Sequence, residues 1–475
     1  MNFRPALLRF AGFGSVLALA GCAAFTISSP ESEAGKDLTW PEAWKEAGTG
    51  NHGRISTGWL KTFRDPDLNQ LVDLAMENNR DLQAAAARLK VAKEQTVPAR
   101  ANRLPVVGFR ANQSRSRDEN GLENAIFQSN YQLGLNASWE IDLWGRLRDL
   151  DLAARADFAG AEADFRAARL SLAADTTIAW FNYITTVQLA NLAETTRDSF
   201  ERNNRITERN YKAGDDTASP LNVQFGRSNV ASAERSLVRA RLNQEEAARS
   251  LEVLIGRYPN AEVKSRSNLP VLPGNIPAGI PSQLLWRRPD LAAAAAELLA
   301  TAKRADAARK DLLPAINLNG GVSSSGAALS SILLDPDYFV WTVASSLAQH
   351  VYEGGAPSAA ARQALAQNEV AVRNFAALAL VAFQEVESGL ATEKSLAEQE
   401  EFLNVELAQA NLAETQASRD YSEGLVGILS LLEAQRRAVS ARTDMITLRN
   451  QRLRNRVNLH LALGGDFETE PSEKP

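Results

Sequence analysis

Residues 131–143 read YQLGLNASWEIDL. Tyr131, Leu133, Leu135, Ala137, Trp139, Ile141 and Leu143 alternate with Gln132, Gly134, Asn136, Ser138, Glu140 and Asp142. That period of two belongs to a β-strand with one apolar and one polar face. Just beyond, from Leu147 to Lys212, the period changes. Leu150, Ala154, Phe158, Ala161, Phe165, Ala168 and Leu172 fall at helical spacing in a run rich in Ala, Leu, Arg and Glu. No proline occurs between Pro105 and Pro220 to break it. An unbroken helix of that length reaches about 100 Å, which calls for a coiled coil or related helical assembly rather than a compact domain.

The same pattern is written twice. Asp81-Leu82 returns as Asp290-Leu291, Leu104-Pro105 as Leu313-Pro314 and Gly145 as Gly354, all 209 positions apart. Tyr211 and Gly214 return as Tyr421 and Gly424, and Leu221 and Gly256 as Leu429 and Gly464, at offsets of 210 and 208. Repeat 1 spans 64–258 and repeat 2 spans 281–465, joined through 259–280, where Pro270, Pro273 and Pro277 mark a linker. Each repeat predicts one long helix, Leu147–Lys212 or Ser358–Ser422. Gly214 or Gly424 ends it, and a returning helix follows, Leu221–Ile255 or Leu429–Leu463.

Each repeat also predicts a β-hairpin, at about 105–144 and about 314–353. In the first, a weaker strand through Val107, Phe109 and Ala111 precedes the polar segment Ser114–Asn124. In the second, Ile316, Leu318, Gly320 and Val322 lead to Phe339, Trp341, Val343, Leu347 and Val351 after a Ser-rich loop. Strands of about ten residues with one apolar face fit the thickness of a bilayer in a closed barrel. Four strands per chain cannot close one, and an open edge in lipid leaves backbone groups unpaired, so several chains must share the barrel. The competing reading is a small soluble sheet packed on the helices.

The N-terminus favours the membrane. Arg4 and Arg9 precede an apolar run from Phe10 to Ala20, the form of a secretory signal at 1–21 that is too short to span a bilayer. It ends in Leu19-Ala20-Gly21-Cys22, which resembles the bacterial lipobox; Cys22, the single cysteine of the 475 residues, would be lipidated and become the mature N-terminus. A buried free cysteine behind an ordinary cleavage site is the alternative. Residues 22–63 form the mature N-terminal segment and 466–475 a polar tail. The net charge of −5 gives no basic stripe for nucleic acid, and one cysteine excludes a disulfide framework within the chain.

Lipobox, duplicated helical hairpins and paired strands together resemble the TolC-like outer membrane factors, specifically the lipoprotein branch typified by OprM and called the NodT family. The local marks are Trp59 and Phe63 with Asp65-Pro66, the run Asp142-Leu143-Trp144-Gly145-Arg146, Tyr421 with Gly424, and Leu432-Glu433-Ala434-Gln435-Arg436. The resemblance implies a mainly α chain with a membrane β-barrel contribution. It implies a homotrimer whose long α-hairpins form a tapering α-barrel tunnel, with four strands from each chain in a shared 12-stranded barrel. The expected role is the exit duct of a tripartite efflux system, joined to a periplasmic adaptor protein and an inner-membrane RND-type pump, and in contact with outer membrane lipid.

The resemblance also maps Leu429, Glu433 and Arg436 onto gate positions at the periplasmic aperture. Their spacings place them on one helix face. The plainer reading is a core leucine and an exposed intrahelical ion pair worth about 0.3–0.5 kcal/mol. Tyr211, Gly214, Asp215, Asp216, Tyr421, Gly424, Leu425 and Val426 would surround the tip that docks the adaptor. Where TolC carries an arginine and an aspartate near the turn, this chain has Val426 and Ser430, which makes any gate here less charged.

No catalytic constellation emerges from the sequence. His52, His350 and His460 are scattered, the last two reading as surface or packing residues, and there is no HExxH, Walker A or cysteine-metal pattern. No cofactor or metal is expected. A duct for type I protein secretion and a periplasmic helical scaffold are the other functions these features allow.

Overall fold

The computed structural model describes residues 44–46, 58–119, 125–214, 219–264, 268–272, 284, 287–349 and 352–467. Cys22, His52, Asp215, Asp216 and His350 lie outside the described residues, as do the signal at 1–21 and most of the terminal segments.

The first elements among the described residues are a short 3-10 turn, Trp59–Phe63, and helix α1, Pro66–Asn78. Asp65 caps that helix: its Oδ1 accepts the backbone N–H groups of Asp67 at 3.0 Å and Leu68 at 3.3 Å. Repeat 1 continues with α2 (Arg80–Ala101), β1 (Val106–Glu119), β2 (Ala125–Ile141), α3 (Arg146–Lys212) and α4 (Pro220–Leu254). Repeat 2 follows with α5 (Pro289–Lys310), β3 (Ala315–Gly326), the short α6 (Leu329–Leu334), β4 (Phe339–Ala348), α7 (Ala356–Ser422) and α8 (Ile428–Ala462). Corresponding helices match in length: α2 and α5 have 22 residues, α3 and α7 have 67, and α4 and α8 have 35. At about 1.5 Å per residue, α3 and α7 each run about 100 Å.

The four strands form one antiparallel sheet in sequential order, with β1 and β4 at its open edges. Its register sorts the side chains into rows. Phe109, Leu135, Val322 and Trp341 align across the four strands, as do Val107, Ala137, Gly320 and Val343. The adjacent row carries Gly108, Asn136, Gly321 and Thr342. One face is therefore apolar and exposed, with Phe109 at 68% and Trp341 at 74%, and the other is small and polar. β1 extends past its expected apolar core into Ser114–Glu119, because the ladder to β2 continues through polar pairs such as Arg117 with Phe127. The guanidinium of Arg115 also lies 5.2 Å from the Phe127 ring centroid.

Each strand joins a helix, and the packed helices keep the lateral order of the strands: α2, α3, α5, α7. The run Asp142–Arg146 makes the strand-to-helix junction of repeat 1. The Asp142 carboxylate accepts the N–H groups of Leu147 at 3.0 Å and Arg148 at 2.8 Å, which the start of α3 would otherwise leave unpaired. Gly145, at φ 77°, takes the left-handed turn, and Arg146 Nη2 reaches back to Glu140 at 2.8 Å. Trp144 Nε1 donates to the Pro314 carbonyl at 2.8 Å, tying this junction to that of repeat 2.

The most extensive core among the described residues lies at mid-length. Trp180, Phe181 and Ile184 of α3 pack there with Trp59, Phe63, Leu68, Leu251 and Val457, and Trp180 Nε1 donates to Asp65 Oδ2 at 2.8 Å. Each returning helix ends against the start of the short helix of its own repeat. The Asn79 side chain donates to the Leu254 carbonyl at 2.9 Å, and Arg288 donates to the Ala462 carbonyl at 3.3 Å. α7 contains an 18-residue window apolar enough by composition to cross a membrane, with a mean hydropathy of 1.2. It packs against α5 and α8.

Candidate functional site

The two long hairpins end at neighbouring tips. α7 closes with Gly424 at φ 75°, and the Leu425 N–H returns to the Asp420 carbonyl at 2.8 Å, the bond that satisfies a helix end. Gly214 plays the same part after α3 at φ 77°. Tyr421, Ile428 and Leu431 form a small buried cluster against Ile206, Val426 and Leu432, so the second tip packs on α3. Tyr211 and Leu425 are exposed, at 45% and 69%.

A polar seam runs beside that cluster. Ser199, Asn203 and Thr207, spaced by four on α3, form one stripe of the helix. Thr207 Oγ1 lies 2.9 Å from the Asn203 carbonyl and 2.7 Å from the Tyr421 hydroxyl. The threonine has one proton, which goes to the carbonyl, so the tyrosine donates across the hairpins. Gln435, buried on α8, accepts from Asn203 Nδ2 at 3.0 Å and donates to Ser199 Oγ at 3.0 Å. Side chains of α3 thus hold both helices of the second hairpin, and each buried bond contributes about 1 kcal/mol net.

The three residues mapped to the aperture share one surface. Leu429, Glu433 and Arg436 line a groove of about 590 Å³ between α3, α4 and α8, opposite Phe200 and Phe225. Leu429 is 60% exposed. Within the chain, the Glu433 carboxylate is shared by Arg437, at 2.7 Å, and Arg436, at 3.1 Å, both on its own helix. Hydrogen bonds first from Arg437 and then from Arg436 hold that carboxyl below the usual carboxylate range. Glu208 on α3 is likewise lowered, chiefly by its bond to Arg227 of α4 at 2.9 Å.

An open-edged sheet with a lipid-compatible face, continued into helices about 100 Å long, is suited to a barrel completed by other copies and prolonged by a helical assembly. The family described as Outer membrane efflux protein matches residues 71–257 and 280–465. The chain belongs to the outer membrane efflux protein family. It is 30% identical over 466 residues to the solvent efflux pump outer membrane protein SrpC of Pseudomonas putida, covering 95% of this chain and 97% of that protein. The cation efflux system protein CusC of Escherichia coli O6:H1 is 27% identical, with 87% and 89% covered. Among solved structures, the outer-membrane channel OprN superposes with a TM-score of 0.83 at 27% identity, covering 90% of this chain and 97% of that one. The open state of the Neisseria gonorrhoeae MtrE outer membrane channel gives 0.78 at 26% identity, covering 90% and 97%. This efflux protein is accordingly an outer-membrane channel, with its strands in a β-barrel and its helices in a periplasmic tunnel.

Further up this efflux protein, Glu393 on α7 binds Arg456 and Asn455 of α8. Burial pushes the Glu393 carboxyl up, but the bonds from Arg456 outweigh it and leave the group below its usual range. His460 is a packing residue: its ring stacks on Trp59 with centroids 5.7 Å apart and planes 13° apart. Burial, followed by the nearby Arg456 charge, lowers its imidazole to about 3. The seam formed by Ser199, Asn203, Thr207, Tyr421 and Gln435 is the feature that reading the sequence missed, although Tyr421 and Gln435 stood among the family marks. Its one sequence signal is the polar stripe at spacing four, which an exposed helix face produces equally well.

Proposed function

We propose that this channel is the passive exit duct of a tripartite efflux system, built as a homotrimer, docked by a periplasmic adaptor and fed by an inner-membrane pump of the RND class. The observation that carries the reading is the four-stranded sheet, apolar on one face and open at β1 and β4. Such edges are tolerated in lipid only when strands of other copies complete the barrel. Relatives named for solvent and cation efflux support a pump over a type I secretion system. A lipid on Cys22 would add an anchor at the periplasmic leaflet beside the barrel.

The periplasmic aperture is the control point of this proposal. Threefold repetition would turn Leu429 into an apolar ring, with Glu433 and Arg436 as the charged ring next to it. The polar seam keeps the second hairpin on α3, so opening requires Tyr421 and Gln435 to leave Thr207, Asn203 and Ser199. An adaptor that fits only the open tips would shift the population toward that state. Tyr211, Gly214, Asp215, Asp216, Tyr421, Gly424, Leu425 and Val426 would surround the docking tip, with the buried Tyr421 supporting it from behind. Planar-bilayer recordings on heat-resistant trimers test the scheme: Glu433→Ala with Arg436→Ala is expected to raise conductance. Intact trimers with unchanged conductance would remove these residues from the gate.

A further inference from the structure

The base of the barrel carries a cleft of about 910 Å³ where α2, α3 and α5 meet the sheet. Its aromatic wall is Trp139 and Trp144, and Trp139 belongs to the apolar row of β2, paired with Leu318 of β3. Its other walls bring together Arg100, Arg103, Arg148, Lys303 and Lys310 from three helices. Some of that charge is matched: Arg103 pairs with Asp151 at 2.9 Å, Lys303 with Asp306 at 3.1 Å, and Lys310 with Asp149. The Asp142 carboxylate in the lining is taken up by the two N–H groups at the start of α3. Arg100 and Arg148 are exposed and make no ion pair among the described residues.

We propose that this cleft seats the head group of an anionic glycerophospholipid from the periplasmic leaflet of the outer membrane. The inference rests on the barrel placement described above. Two unmatched guanidiniums present the forked donors that suit a phosphodiester. The tryptophans stand at the end of the strands' apolar rows, where indoles sit at the head-group level of a bilayer. Acyl chains leaving the cleft would run up the apolar face past Leu318, Ala137 and Leu135. A soluble anion would use the charges but not the aromatic wall, so the combination selects a lipid.

Native mass spectrometry on the delipidated full-chain assembly tests this, with phosphatidylglycerol and phosphatidylcholine as probes. Each cation near an anionic lipid contributes about a fivefold factor, so Arg100→Gln with Arg148→Gln is expected to weaken phosphatidylglycerol binding about 25-fold at low salt. Phosphatidylcholine binding should change little. Arg235→Gln, which removes an exposed arginine of α4 outside the cleft, should leave both lipids unaffected. Should the double glutamine variant fail to assemble, Arg100→Lys with Arg148→Lys keeps the charge but not the fork, and is expected to bind phosphatidylglycerol more weakly than the unaltered protein while still preferring it to phosphatidylcholine. Equal binding of the two lipids by the unaltered protein overturns the proposal, as does an undiminished preference in the glutamine variant, a preference lost in the lysine variant, or complete displacement of the lipid by inorganic phosphate. Loss of heat-resistant assemblies by the unaltered protein would count against the shared barrel instead.

Discussion

The hydroxyls of Tyr421 and Thr207 lie 2.7 Å apart, on the tips of different hairpins and 214 positions apart in the chain. Both side chains are buried, so the bond is shielded from water. Removing the phenolic proton leaves Thr207 with an unmet acceptor and frees one point of the seam. Tyr421→Phe is expected to destabilise the tip by about 1 kcal/mol and raise channel conductance while the assembly survives. Thr207→Val should act in the same direction. Single-channel recording checks both, and closed-state conductance identical to that of the unaltered protein would take this bond out of the gate.

Gly256 and Gly214, two of the positive-φ glycines of repeat 1, should respond unequally to alanine. Gly256, at φ 70°, would place a Cβ 2.4 Å from the Asn78 carbonyl oxygen, whereas Gly214, at φ 77°, has nothing within 4 Å. The left-handed conformation alone costs about 1–2 kcal/mol, and the clash with backbone adds to it only at Gly256. Thermal unfolding should therefore place Gly256→Ala well below Gly214→Ala; equal midpoints would contradict this account.

Glu433 sets an acid limit for the aperture. Its carboxyl titrates below the ordinary value of 4.5, so the contacts with Arg437 and Arg436 are present above that value. They are lost as pH falls through the lowered one. Conductance is expected to stay flat from about pH 7 to pH 5 and to rise only at pH below the ordinary carboxylate value of 4.5. Glu433→Gln should abolish that acid step, and a rise near pH 6 would point to another group.

His460 acts in the same pH direction, by resisting a charge. Its folded-state value of about 3, against 6.5 unfolded, means that the unfolded chain binds the extra proton between those limits. Stability then falls as pH drops from about 6.5, by up to about 3 kcal/mol at pH 4. His460→Phe keeps a ring against Trp59 and should flatten the pH dependence of the melting temperature across that window. A slope unchanged from that of the unaltered protein would exclude His460 as its source.

Much of this architecture was legible because long-period patterns dominate it. The run Leu147–Lys212 becomes a helix over Arg146–Lys212, since no proline and few β-branched residues interrupt it. The alternation at 131–143 becomes β2, but the polar stretch after Ala111 did not look like strand. Strand pairing, rather than hydrophobicity, carries β1 on to Glu119. At the candidate site, Leu429, Glu433 and Arg436 fall on one groove as their spacing suggested. The seam did not show, because a buried Gln435 becomes meaningful only with Asn203, 232 positions away. Within the chain Glu433 pairs along its own helix, and spacing alone could not distinguish that from a bridge between helices.

The matched helix lengths of the two repeats have a geometric consequence. Both long helices start just after a left-handed glycine and run for 67 residues, so the two sequence-distinct hairpins carry long arms of equal length. In the proposed trimer, the end of the tunnel would present six knobs of similar build, a pseudo-sixfold crown on a threefold body. A ring of six identical partner subunits could then seat all six, and inserting a single residue into α7 would set alternate knobs out of step.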